Sequence, residues 1–120
     1  MTDSRAKGAR GERELAKKLR EFGFHARRGQ QYSGANGDAD VIGVPDIHIE
    51  CKWVEKLNIN KAMKQSLNDA RQGEKAVVMH KKNGEKWLVT MTLADWIELY
   101  NAWRRDEECH GYGIQKARKK

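Results

Sequence analysis

The apolar residues of this chain recur with two periods, one helical and one strand-like, and turn residues separate the stretches. Over residues 5–23, Leu15, Leu19 and Phe22 follow a three-to-four spacing and Gly23 closes the run, which predicts a helix. "FHARR" (24–28) predicts a short strand, and "GQQYSGANGD" (29–38), with three glycines, Ser33 and Asn36, predicts a loop. "ADVIGV" (39–44) reads as a strand, "VPD" (44–46) as a turn and "IHIECKW" (47–53) as the returning strand. In that last strand Ile47, Ile49 and Cys51 form one face, while His48, Glu50 and Lys52 form the other. "NINKAMKQSLNDARQG" (58–73) predicts a helix capped by Asn58 or Asn60 and stopped by Gly73, with Ile59, Met63, Leu67 and Ala70 as its buried stripe. "KAVVMH" (75–80) and "KWLVTM" (86–91) are strands joined by an Asn-Gly hairpin signal. Thr92 and Asp95 form a capping box ahead of a last helix, "LADWIELYNAWRR" (93–105). The order α-β-β-β-α-β-β-α predicts an α/β fold: a mixed sheet of about five strands flanked by helices.

A chain of 120 residues suits one domain, taken here as 1–109, followed by a basic, flexible tail over 110–120. With 38% hydrophobic and 34% charged residues the chain is polar, but its clustered apolar positions argue for a folded core. The net charge of +7 favours a polyanionic partner, nucleic acid first. The N-terminal cations Arg5, Lys7 and Arg10, and Arg27 and Arg28 beside the glycine-rich loop, are the leading candidates for phosphate contacts, with Lys56, Lys61, Lys64 and residues 116–120 behind them. Cys51 and Cys109 do not make a disulfide framework, and Cys51 reads as a small core residue. No signal peptide or membrane-length apolar run is present, so the expected compartment is the reducing cytoplasm. The histidines have no zinc spacing with the cysteines. His48 shares the Glu50 face and is expected at a sheet edge. The face of Trp96, Ile97, Tyr100 and Trp103 on the last helix exceeds what a small sheet must cover, which suits either a dimer interface or a core helix with amphipathic rims.

Candidate chemistry comes from folding the hairpin about residues 44–46. Residues whose numbers sum to 90 then face one another, so Asp40 meets Glu50 and Asp38 meets Lys52, with opposed Cβ atoms ~4.5–5.5 Å apart. Carboxylates so placed repel, unless a hard divalent cation such as Mg²⁺ lies between them. Asp46 lies four residues from Glu50, roughly 13 Å along one strand, and is assigned to the turn. On the first helix Glu12 lies in line with Leu15, Leu19 and Phe22 and faces the sheet, whereas Glu14 is about 200° round and faces solvent. Lys52 stands one pleat from Glu50, where an ammonium can position or deprotonate a water, or neutralise charge on a phosphate in transit.

These residues make the sequence resemble the PD-(D/E)XK nuclease superfamily, and within it the archaeal-type Holliday junction resolvases. The likeness rests on "KGARGERELAKKLREFGFHARR" (7–28), on the loop and strand "YSGANGDADVIGV", and on the E-x-K strand "IHIECKW"; beyond residue 57 it is one of pattern only. The resemblance implies a restriction-endonuclease-like core and an active site of Glu12, Asp40, Glu50 and Lys52. Asp40, Glu50 and the Cys51 backbone carbonyl would hold Mg²⁺, with Mn²⁺ as a substitute, and Glu12 would bind a second ion directly or through water. Ser33 would match the loop serine that approaches the scissile strand, and family members work as dimers that nick opposed strands of a four-way DNA junction. Two positions depart from the pattern: Ala39, where a proline commonly precedes the Asp, and Tyr32 ahead of Ser33, where glycine is usual. The expected function is a metal-dependent Holliday junction resolvase, active in the cytoplasm, or in the host's if phage-encoded. The alternatives are a nicking or general DNase of a phage or mobile element, or a non-catalytic DNA-binding module.

Overall fold

The computed structural model describes the backbone of residues 4–30 and 39–110, and the side chains of 8–30 and 39–107 among them. Ser33 and residues 111–120 therefore lie outside the described residues, as do the side chains of Arg5 and Lys7. The element order is α1 (Ser4–Glu21), β1 (Arg27–Arg28), β2 (Val41–Ile42), β3 (Ile47–Trp53), α2 (Ile59–Asp69), β4 (Lys75–Lys81), β5 (Leu88–Thr90) and α3 (Leu93–His110). This is the α-β-β-β-α-β-β-α order read from the pattern, with shorter outer strands and a longer last helix. Thr92 Oγ1 accepts the Asp95 N–H at 3.2 Å, which starts that helix as the capping box requires.

The five strands form one mixed sheet in the order β1-β2-β3-β4-β5. β2 and β3 are antiparallel, with Val41 opposite Ile49, whereas β3 and β4 run parallel from Ile47 beside Lys75 to Trp53 beside Lys81. A parallel pair needs a crossover, and α2 supplies it. The two helices cover opposite faces of β3. Leu15 and Ala16 of α1 pack with Val41, Ile49, Cys51 and Val77, while Ala62 and Met63 of α2 pack with Val78. Ser66, fully buried, donates its hydroxyl to the Val77 carbonyl at 3.0 Å and so pins α2 to β4.

Three expectations need correction. Phe22 is 75% exposed, because α1 ends at Glu21 and the chain turns there: the Gly23 N–H donates to Arg20 O and the Phe24 N–H to Leu19 O. Leu67 is 47% exposed, because the stripe that meets the sheet runs through Ala62, Met63 and Ser66, and Leu67 lies past its margin. His48 is not an edge residue; β3 is the central strand and its imidazole is buried.

α3 projects from this core. Leu93, Trp96, Ile97, Leu99, Tyr100 and Trp103 are all at least 40% exposed. Lys75 of β4 tethers the helix through Asp95 at 3.6 Å and Glu98 at 3.2 Å. Among the described residues no helix is long and apolar enough to cross a membrane.

The β2–β3 turn depends on one glycine. Gly43 has φ +109°, and a Cβ there would collide with the His25 carbonyl, where the chain entering β1 crosses the turn. Gly43→Ala is expected to destabilise the fold by about 1–3 kcal/mol. Chemical denaturation should therefore show a clearly lower midpoint with an unchanged slope; an unaltered midpoint would contradict this close packing.

Candidate active site

The β2–β3 register sets the geometry of the site. The Asp40 N–H donates to Ile49 O at 3.0 Å, the same residue that Val41 pairs with, and this fixes Asp40 beside β3 just ahead of β2. Asp40 Oδ2 then accepts the Cys51 N–H at 2.8 Å. Glu50 is 4% exposed, and its side chain also meets that of Asp40 through a hydrogen bond. Burial pushes the Asp40 carboxyl up to about 7, the Glu50 charge adds to the rise, and the Cys51 N–H opposes it. Burial also pushes Glu50 up, but the hydrogen bonds from His48 and Asp40, with the positive charges of His48 and Lys52, outweigh it and hold Glu50 below the usual carboxylate range. The environment thus favours the protonated form of Asp40 and the ionised form of Glu50.

Glu12 reaches the same place from α1. Gly11 lets the helix approach closely: a Cβ there would sit 3.3 Å from Trp53 Cβ and 3.8 Å from Cys51 Sγ. Glu12, one residue on, is half-buried and accepts the Arg28 Nε–H at 2.9 Å. Its charge adds to the rise of Asp40. Lys52, half-buried, shares the Glu50 face. Glu12, Asp40, Glu50, Cys51 and Lys52 line one cavity of about 300 Å³ between α1 and α2. The Cys51 thiol turns instead into the core below α1, where burial pushes its pKa far above the ordinary thiol value. The donors offered to the cavity are thus oxygens, and a close carboxylate pair in which one member favours its proton suits a hard divalent cation.

The pattern of the chain did not single out Gln65, Glu74 or Asp69, and it put His48 on the Glu50 face only as an edge residue. Gln65 of α2 also lines the cavity. The only signal for it was a polar residue flanking the buried stripe. His48 Nε2 lies 3.2 Å from Glu50 Oε1 and its Nδ1 lies 3.8 Å from Glu74 Oε1. The hydrogen bond to Glu50, with the charges of Glu50, Glu74 and Asp69, raises the His48 pKa despite burial. His48, Glu50 and Asp69 offer ligand atoms within 4.8 Å of one another, so Glu50 also belongs to a second group that includes an acid of α2. Of the predicted phosphate contacts, Arg10 is exposed above the Trp53 ring, Arg27 is exposed on β1, and Arg28 is committed to Glu12.

The family described as "Phage putative PDDEXK endonuclease" matches the chain over residues 3–119. The chain belongs to this family. A solved structure, Hjc of Archaeoglobus fulgidus, a Holliday junction resolvase from an archaeal hyperthermophile, is similar at 26% identity and a TM-score of 0.53; the match covers 71% of this chain and 72% of Hjc. No curated protein matches. The restriction-endonuclease-like fold and the nuclease class of this PDDEXK chain are thereby shown.

The Asp40 shift has a measurable consequence. A carboxyl whose folded pKa lies above its ordinary value of 3.8 makes a contribution to stability that is full below 3.8 and is lost progressively as pH rises to about 7. In a chelator, Asp40→Asn should therefore melt above the wild type at pH 8, by about 5 °C for each kcal/mol relieved, with the gap narrowing at pH 5 and closing only as pH falls to about 4. Adding Mg²⁺ at pH 8 should raise the wild-type melting temperature far more than that of the variant. A wild type as stable as Asp40→Asn at pH 8 in chelator would show that the paired acids carry no strain.

Proposed function

We propose that this PDDEXK endonuclease is a structure-selective DNA nuclease that hydrolyses phosphodiesters, with the four-way Holliday junction as its substrate. The observation that carries the reading is the convergence of Glu12, Asp40, Glu50 and Lys52, from α1, the start of β2 and β3, on one cavity. Asp40, Glu50 and the Cys51 carbonyl are the groups that would hold Mg²⁺ or Mn²⁺, with Glu12 contributing directly or through a water. Bound there, the ion would supply Lewis acidity and lower the pKa of a coordinated water. Lys52 is assigned to the nucleophilic water, which it orients while its ammonium offsets charge gathering on the phosphate. The water oxygen forms a bond to phosphorus as its proton passes to solvent, the bond to the sugar oxygen breaks and that oxygen takes a proton from solvent, leaving a phosphate on one end and a hydroxyl on the other.

Junction selectivity draws its support from the likeness to Hjc, named as a Holliday junction resolvase. The phage family favours a second reading, a nicking or general DNase of a phage. A non-catalytic DNA-binding module is disfavoured by the complete set of acids and lysine. Arg5, Lys7, Arg10 and Arg27 are assigned to phosphate contacts around the site, Arg28 to holding Glu12, and Ser33 to the approach of the scissile strand. Two copies acting on opposed strands need an interface, and the exposed Trp96–Tyr100–Trp103 face of α3, with ring centroids 5.2 and 5.7 Å apart in succession, is assigned to it. The working compartment is the cytoplasm, that of the host for a phage-borne chain.

The test is cleavage in Mg²⁺ of matched four-way junction, linear duplex and single strand. Symmetric nicks in the junction alone support resolution, comparable cutting of linear DNA supports the second reading, and no cutting of any substrate overturns both. Glu50→Gln and Lys52→Met should each reduce cleavage by about 10²–10⁴ while DNA affinity stays within a few-fold, because affinity comes from phosphate contacts spread over the surface. Trp96→Glu with Trp103→Glu should convert a dimer to a monomer in light scattering; an unchanged mass would remove α3 from the interface.

A further inference from the structure

One cluster of cations lies outside the catalytic set and begins at its rim. Trp53, at the end of β3, lines the catalytic cavity. The Arg10 guanidinium stands 5.2 Å from its ring centroid and Lys81 Nζ stands 4.8 Å from it. Lys81 is also 5.8 Å from the Trp87 ring, which meets Trp53 edge to face at 6.3 Å. The Trp53 Nε1–H donates to Asn83 Oδ1 at 2.9 Å, so the indole is locked to the β4–β5 hairpin. Lys81 in turn lines a second, larger hollow of about 870 Å³, together with Lys56, Lys82 and Lys86. Two carboxylates, Glu55 and Glu85, share that hollow, and Glu55 is engaged by the Asn83 N–H at 2.8 Å. Four ammonium groups against two carboxylates leave the hollow cationic. His80, on its floor, adds no charge near neutrality, because burial lowers its pKa and Thr90 Oγ1 lies 2.8 Å from its Nε2.

We infer that Arg10, Lys81, Lys82 and Lys86 form a phosphate track that carries a DNA strand away from the catalytic cavity along the β4–β5 hairpin, with Trp53 as the residue that positions its first two cations. The inference rests on the nuclease reading, since the strand enters where its phosphodiester is cut. A cation seated on an indole face has already lost much of the rotamer freedom that a phosphate contact would otherwise cost. Two indole-seated cations, followed by the lysines of the adjoining hollow, suit a charged strand, and Trp53, which lines the catalytic cavity and carries Lys81 on its ring, sets the direction. The hollow also offers Leu57, Ile59 and Leu88, an aliphatic floor for sugar and base.

The test is binding of a fluorescein-labelled linear duplex and its single strand in EDTA, where no cutting occurs, across a salt series. Lys81→Ala/Lys82→Ala/Lys86→Ala should lose at least about tenfold in affinity at 0.1 M salt, and its log–log salt slope should fall by two to three. Lys17→Ala/Lys18→Ala/Arg105→Ala removes the same formal charge outside both cavities and should stay within about threefold of the wild type. Equal losses in the two variants would overturn the track, leaving only diffuse charge. Should the first variant fail to fold by circular dichroism, Lys82→Glu/Lys86→Glu, at exposed positions, carries the same expectation. Trp53→Leu keeps every charge, so it should weaken binding without changing the slope. A wild type that cuts DNA while the track variant binds like the control sinks the track alone. A wild type that never cuts, yet loses binding through these lysines, sinks the nuclease reading alone.

Discussion

Asp40, just ahead of β2, and Glu50 of β3 meet in a place with little water, and the rest of the site is arranged around that pair. Burial first, and then the charge of Glu50, push the Asp40 carboxyl to about 7, while Glu50 itself is held low by His48 and by its hydrogen bond with Asp40. A fold selected for stability alone would not keep such a pair at the centre of its sheet. The pair persists because the backbone over-determines it: the Asp40 N–H is bonded to Ile49 O at 3.0 Å, the Cys51 N–H is bonded to Asp40 Oδ2 at 2.8 Å, and Gly43 permits the turn that returns β3 alongside. A divalent cation replacing the Asp40 proton would turn a liability into a binding site.

The helices then determine what surrounds the pair. α1 and α2 cover opposite faces of β3, and the cavity lies between them, lined at once by Gly8, Gly11 and Glu12 of α1 and by Gln65 of α2. Glycine at 11 allows α1 to come within van der Waals reach of Trp53 and Cys51, and that approach delivers Glu12 to Asp40. Arg28, on the edge strand, holds Glu12 from the other side at 2.9 Å. Three distant segments of chain thus reach one spot through ladder hydrogen bonds and one close backbone contact, with no long flexible side chain needed to span the gap.

Much of this was legible in the sequence because the strand period is strict. The alternation in "IHIECKW" and the turn at "VPD" together imply the pairing that the structure shows as Val41 opposite Ile49. Helix faces were less legible, since the angular margin that separates a buried Leu from an exposed one is small. Leu67 and Phe22 carry the right period but lie past the contact stripe and past the helix end. His48 was misread because nothing local marks a strand as central; only the parallel pairing of β3 with β4, mediated by α2, buries it. Gln65 and the Arg28–Glu12 pair depend on packing between elements, which no single stretch encodes.

Glu50 has a further constraint that the E-x-K strand alone does not suggest. Besides Asp40, it meets His48 at 3.2 Å and, in the same group, Asp69. His48 keeps Glu50 ionised, and Glu50 in turn raises the imidazole, so each stabilises the charged form of the other in a region that disfavours charge. That mutual support favours the ionised form of Glu50, while Asp40 favours its protonated form. The two carboxylates that would hold a cation are therefore fixed by different means, Glu50 on the central strand by His48 at 3.2 Å and Asp40 by the Cys51 N–H at 2.8 Å.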